Sequence, residues 1–193
     1  MCWNYEVSIT SFLIGLAVGL SLIKRNKNYD KVIGYLVLFY SFVQLWESQL
    51  WKAVQNNDTP SNLKYTRLIY LTLWIQALAI GIGIYQHNKN TTPMIIGALL
   101  FLYGLTYSTD IQPSAPDKSG HLSWGFDQDF YYVVSAVIIA SFVLYTDVKK
   151  TWIALLFLFL PYVYLLYNSS ETSVASLWCW FCAAFSFIPL IFY

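Results

Sequence analysis

Charge is what this 193-residue chain has least of. Only 11% of its residues are Asp, Glu, Lys or Arg, where a soluble domain carries about 25% in order to wet its whole surface. A surface that faces lipid resolves that shortage. The excess of one sign is equally small: 11 Lys and Arg stand against 10 Asp and Glu, for a net charge of +1. That leaves no basic footprint for nucleic acid. Phosphate-binding loops and Gly-x-Ser-x-Gly nucleophile elbows are absent from the sequence, which removes two large enzyme classes. The three cysteines are Cys2, Cys179 and Cys182. The last two form a CxxC, but they sit in an apolar stretch without a basic neighbour to lower a thiol pKa, so they read as small apolar filler. A Cys2 to Cys179 disulfide is the alternative.

Apolar residues fill the space that charge leaves. The chain is 58% hydrophobic and 19% aromatic, which excludes disorder. Spanning a bilayer takes about 20 mostly apolar residues in a helix, and seven such runs lie between polar breaks, at 7–23, 32–53, 63–85, 92–108, 130–146, 151–167 and 174–193. The expected fold is therefore all-α, a polytopic bundle of seven transmembrane helices forming one domain over 1–193. Its first partner is the lipid bilayer. Most breaks are short and suit antiparallel neighbours. The exception runs over 109–129 and carries Pro113, Pro116, Gly120 and Gly125, which oppose helix. Within it, Leu122, Trp124 and Phe126 are placed to dip into the interface or to cover the bundle.

Cytoplasmic loops retain Lys and Arg. None precedes the first run, whereas Lys24, Arg25, Lys27 and Lys31 follow it. The amino terminus is accordingly expected outside and the carboxyl terminus inside. This puts Lys89, Lys149 and Lys150 inside as well, and Lys52, Lys64, Arg67 and Lys118 outside. His87 and His121, the only histidines, then fall on opposite sides and cannot share a metal. No metal or cofactor is expected. The start Met1-Cys2-Trp3-Asn4 lacks the positive segment of a secretory signal, so the first run is expected to stay as a helix. Asn-x-Ser/Thr sequons begin at Asn57, Asn90 and Asn168; the first and last fall outside in this topology.

Glu47 is the one acidic residue inside an expected span. It belongs to Phe42-Val43-Gln44-Leu45-Trp46-Glu47-Ser48-Gln49-Leu50-Trp51, where helical spacing puts Gln44, Glu47, Ser48 and Trp51 on one face. A carboxylate at this depth must be paired, protonated or wetted, so such residues face the bundle interior and mark sites and pathways. Six residues from the outer end of its span, Glu47 lies about 9 Å below the boundary, within reach from outside. Gln44 and Gln49 are possible amide donors to it. Gln76 on the third span lies at the depth of Gln44, with Ser135 or Tyr103 and Tyr107 as closing groups. Two readings follow: a site for a proton, cation or small polar ligand, lined by Trp46 and Trp51, or amides that only glue helices together.

Other features carry less chemistry. Ser8, Ser11, Gly15 and Gly19 form a small-x-x-x-small strip that allows close backbone approach. Gly15 and Gly19 serve packing within the bundle or a homo-oligomer face. Pro161 should kink the sixth span, and Tyr162, Tyr164 and Tyr167 after it suit a membrane border. Asp127-Gln128-Asp129 reads as a helix start.

Seven spans with an outside amino terminus invite comparison with rhodopsins and G-protein-coupled receptors, but the residues exclude both. No Lys follows Lys150 to hold retinal, and the third span closes on Ile84-Tyr85-Gln86-His87 with no Asp/Glu-Arg-Tyr motif. The opening Met1-Cys2-Trp3 with Ser8, and Gln44-Leu45-Trp46-Glu47 followed by Trp51, resemble instead a set of small uncharacterised polytopic proteins. These begin Met-Cys-aromatic, carry Gln-x-x-Glu in the second span, and occur in large DNA viruses, microbial eukaryotes and some bacteria. The resemblance implies a membrane protein and no particular activity. The expected function is a small binding or transport protein with a polar intramembrane site at Glu47. The alternatives are a structural or assembly protein of a cellular or viral membrane and, third, a membrane-embedded lipid-modifying enzyme; catalytic residues are not assigned.

Overall fold

A computed structural model describes residues 4–107, 110–118, 120–127 and 129–147, with isolated positions between 152 and 187. Apart from those isolated positions the expected spans at 151–167 and 174–193 lie outside the described residues, as do Pro161 and its tyrosines, the three cysteines and Asn168. Among those described, the chain forms five helices: α1 (Tyr5–Arg25), α2 (Asp30–Gln55), α3 (Thr59–Asn88), α4 (Thr92–Thr106) and α5 (Phe130–Tyr145). Two two-residue strands, β1 (Ala115–Pro116) and β2 (Leu122–Ser123), pair antiparallel between α4 and α5.

Local chemistry sets the helix ends. Asn4 caps α1 by accepting the Val7 amide at 2.8 Å, the usual service of an N-cap side chain. Asn26 stops that helix in the left-handed region, at φ 52°, which Asn tolerates better than most residues. Asp58 caps α3 by accepting the Ser61 amide at 3.1 Å, and hydrogen bonds from Ser61 hold its carboxyl below the usual range. Pro60 sits in the first turn of α3, where its missing N–H costs nothing. Between α1 and α2, Arg25 grips Asp30 with two nitrogens, Nε to Oδ2 at 2.7 Å and Nη2 to Oδ1 at 2.8 Å. This bond to Asp30 pushes the guanidinium pKa up. Asp129 begins α5, its amide bonded to Asp127 Oδ1 at 2.9 Å.

The register of side chains shows how the helices run. α1 packs on α2, α2 on α3 and α3 on α4, each pair antiparallel. The α1–α2 contact is a backbone approach: a Cβ on Gly34 would lie 3.0 Å from the Gly19 carbonyl, and one on Gly15 would strike Ser41. Thus Gly15 and Gly19 face α2 within the chain. Gly97 and Gly81 bring α4 against α3 in the same way, each with backbone of the other helix 2.6 Å from its absent Cβ. α5 runs parallel to α3, tied by Tyr131 to Gln76 at one end and by Asn88 to the Tyr145 carbonyl at the other.

Polarity is arranged inside out. Glu47, Gln44, Gln76, Ser41, Ser48 and Thr66 are fully buried, while Leu99 is 62% and Leu144 70% exposed. Exposed Leu13 and Leu20 on α1, Ile95, Leu102 and Leu105 on α4 and Val133 and Val143 on α5 continue this apolar exterior. Water would not reward such an arrangement.

All-helical character is thus as expected, but seven crossings are not what the described residues display. Two helices, α1 and α3, are long and apolar enough to cross a membrane. α2 has the length, 26 residues, yet Asp30, Lys31, Glu47 and Lys52 dilute its apolar content. α4 and α5, at 15 and 16 residues, fall short of the roughly 20 that a straight crossing needs. The runs expected over 92–108 and 130–146 lose a residue or two because Tyr107 and Thr146 turn extended.

Candidate functional site

Glu47 lies on the buried face of α2 and has no exposed surface. Gln44, one turn earlier, donates Nε2 to Glu47 Oε2 at 2.5 Å, the contact that their spacing of three foretold. The other carboxylate oxygen is held from far away in sequence. Trp124 Nε1 donates to Oε1 at 2.9 Å and the Ser176 hydroxyl donates to the same atom at 2.6 Å. A carboxylate can accept about four hydrogen bonds, so three donors meet much of its demand.

Trp124 reaches this depth because the described residues 110–118 and 120–127 fold back over the bundle as a hairpin. Ala115 pairs with Ser123 and Pro116 with Leu122, and Gly120 makes the turn at φ 78°, a conformation suited to glycine. Asn62 of α3 anchors the hairpin by a two-way bond with one residue: its Nδ2 donates to the Ser114 carbonyl at 2.9 Å, and its Oδ1 accepts the Ser114 amide at 2.8 Å. Thr66 Oγ1 bonds the Ser114 hydroxyl at 2.8 Å, which also accepts the Gly125 amide at 3.1 Å. Gln112 donates its amide to the Gly125 carbonyl at 2.6 Å. Leu122, Trp124 and Phe126 are all buried, so the apolar side chains expected to cover the bundle do so. Phe126 and Phe130 meet Tyr70 edge-on, and Phe130 stacks flat on Trp74 with centroids 4.6 Å apart.

The remaining candidates are dispersed around Glu47. Gln76 is fully buried, but its partner is Tyr131, whose hydroxyl donates to Oε1 at 2.7 Å. Its Nε2 meets no acceptor, so Gln76 does not donate to Glu47. Ser135, one turn along α5 from Tyr131, is also buried with an unpartnered hydroxyl. Tyr103 and Tyr107 pack on Trp74 instead of closing over Gln76. Gln49 donates to Ser48 at 3.2 Å and not to the carboxylate. Trp51 shares the Glu47 face and is buried with its indole N–H unpartnered. Trp46 points elsewhere. It donates to Thr72 Oγ1 at 3.0 Å and, with Phe39, Phe42, Leu68, Leu71, Ile75 and Phe101, lines an apolar groove of about 210 Å³ between α2, α3 and α4. Glu47 is thus fully buried with Trp124 of the hairpin on its Oε1, and the groove that Trp46 lines does not include it.

Sequence reasoning missed Ser176 and the Asn62, Thr66 and Ser114 anchor. Asn62 and Thr66 carried a signal, being polar residues one turn apart near the start of an apolar helix. Ser176 carried none.

An uncharacterised protein of Acanthamoeba polyphaga mimivirus is 22% identical to this chain over 219 aligned positions, covering 93% of the chain and 90% of that protein. This is a distant likeness to a protein of a large DNA virus. No family profile matches the chain, and no solved structure matches it.

Proposed function

We propose that the chain is a multi-pass integral membrane protein whose seven spans, with amino terminus outside and carboxyl terminus inside, enclose a polar site for a proton, a cation or a small polar ligand. Glu47 is the centre of that site, Gln44 its nearest amide, and Gln76 and Trp51 are buried polar groups of the same bundle whose donors have no partner. The sealed arrangement is its occluded form. One observation carries this reading: a carboxylate without exposed surface, in a helix bundle with an apolar exterior, is held by donors from a helix, a hairpin and a distant carboxyl-terminal position. Burying a charge at such depth is costly, and packing alone would be served as well by apolar side chains. The five described helices lie close to the first five expected apolar runs, and α1 and α3 are the ones among them long and apolar enough to cross a membrane.

A second reading has its own support. Glu47 joins chain segments 77 and 129 residues away, which is also what a structural or assembly protein with no ligand would gain from it. A lipid-modifying enzyme with Glu47 as general base fits less well, since the carboxylate faces no open surface. Glu47→Gln in liposomes, with internal pH and ion content followed by dyes, separates these readings. A binding or transport site predicts loss of proton- or ion-dependent response with helix content retained. If wild type shows no such response and the variant only unfolds at lower temperature, the assembly reading stands.

A further inference from the structure

We infer that the apolar groove between α2, α3 and α4 holds one acyl chain of a phospholipid, whose phosphate rests on Lys64 and Arg67 at the outer end of the groove. The inference rests on the reading of the chain as an integral membrane protein and is independent of what Glu47 binds.

The groove makes no polar demand of its occupant. Trp46 Nε1 donates to Thr72 Oγ1 at 3.0 Å, and that hydroxyl donates to the Leu68 carbonyl at 2.7 Å. The two polar side chains of the lining thus satisfy each other, and the rest of the wall is aliphatic or aromatic. The wall is also bulky: Phe42 stands between Phe39 and Trp46, with ring centroids 6.2 and 6.4 Å from its own. A second helix, about 10 Å across, cannot enter a slot of about 210 Å³ between such side chains. Helices in membranes receive one another on small residues instead. An unbranched hydrocarbon chain fits.

Length and charge supply the rest of the ligand. The lining residues Leu68, Leu71 and Ile75 form one stripe of α3 at helical spacing. That stripe continues outward to Lys64, one turn before Leu68, and Arg67 stands one turn before Leu71. Lys64 to Ile75 is about 16 Å of helix, close to one leaflet, which is half of a hydrocarbon core of about 30 Å. A chain hung from Lys64 therefore ends where a lipid tail ends, near the midplane. Both cations are exposed, and neither forms an ion pair among the described residues; Lys64 lies over the Tyr65 ring, 5.5 Å from its centroid. Asp58, the acid that precedes α3, is engaged by the Ser61 amide. A phosphate oxygen is what an ammonium and a guanidinium above an apolar slot can hold together.

Photolabelling of the full-length protein in phosphatidylcholine nanodiscs tests this, with a trace of phosphatidylglycerol carrying a diazirine on one acyl chain, or of diacylglycerol with the same chains. Peptide mass spectrometry then compares labelling of residues 68–75 with that of Leu13 and Leu144, which are exposed on the bundle exterior. Phosphatidylglycerol should label 68–75 in preference to Leu13 and Leu144, and diacylglycerol should not. Lys64→Gln, a change on an exposed side chain, should lower the groove label about fivefold, the scale of one cation facing an anionic lipid, and leave Leu13 and Leu144 unchanged. Leu71→Trp should fill the slot and remove the groove label. Labelling spread evenly over all three places and indifferent to Lys64→Gln would overturn the inference, leaving only the lipid that surrounds any membrane protein. Equal groove labelling by diacylglycerol would overturn it as well, since the phosphate would then play no part. A groove without label in a dimer that Leu71→Trp dissociates would give the slot to a second copy instead. Alkaline carbonate extraction separates these failures from failure of the membrane reading: protein that leaves the vesicles is not integral, whereas protein that stays without a favoured groove lacks only this lipid site.

Discussion

Substitutions at Glu47 separate a lost carboxylate from a lost charge. Glu47→Gln keeps an oxygen for Trp124 and Ser176, and Gln44 can turn to accept the new amide; the expected loss is about 1–2 kcal/mol. Glu47→Ala leaves the donors of Gln44, Trp124 and Ser176 buried without that acceptor and opens a void as well, for about 3–5 kcal/mol. Chemical unfolding in detergent should rank wild type, Gln and Ala in that order. Equal loss in Gln and Ala would mean that the charge itself, and not the acceptor geometry, holds the site. Single residues were also where the sequence was most uneven as a guide. Glu47 stood out because an acid in an apolar run is costly, and Gln44 because three residues make most of a helical turn. Trp124 was visible only as an apolar residue in a long loop, and Ser176 not at all. Their bonds to Glu47 span 77 and 129 residues, and no periodicity encodes a pairing over that distance.

Among the elements, the helices were legible and the hairpin was not. Apolar runs bounded by Asn, Asp, Lys and Pro gave α1 to α5 to within a few residues, since caps and breakers act locally. The hairpin's strands are two residues each, too short for any alternation to register. Side chains from α3 decide its fold, and a reading along the chain does not bring them together. Gly125 is where this element is most vulnerable. A methyl group there meets the Gln112 carbonyl at 1.9 Å, so Gly125→Ala should force the arms apart and draw Trp124 off Glu47. The expected outcome is a loss of about 1–3 kcal/mol from overpacking, together with faster proteolysis within 110–127. Unchanged protease resistance would mean that the arms can separate without exposing the hairpin.

At the scale of the whole molecule, the chain hides its polar groups and displays its apolar ones, and the low charge content read first from the sequence is the compositional trace of that inversion. What composition could not supply was the partition of labour: among the described helices α2 is too polar to count with α1 and α3 as apolar enough to cross a membrane, yet it is the one that carries Glu47. This has a consequence in time. Glu47 leaves the ribosome well before Trp124 and long before Ser176, so on the proposed topology its carboxylate meets the bilayer without those two donors. On that topology α2 should enter the membrane loosely and settle late, once downstream chain arrives to hold it. Nascent chains cut before Trp124 should show α2 poorly inserted in a glycosylation-tag assay, chains extended past Ser176 should show it well inserted, and Glu47→Leu should erase the difference. If α2 inserts fully in the short chains, its own apolar residues suffice, and Trp124 and Ser176 only secure what is already in place.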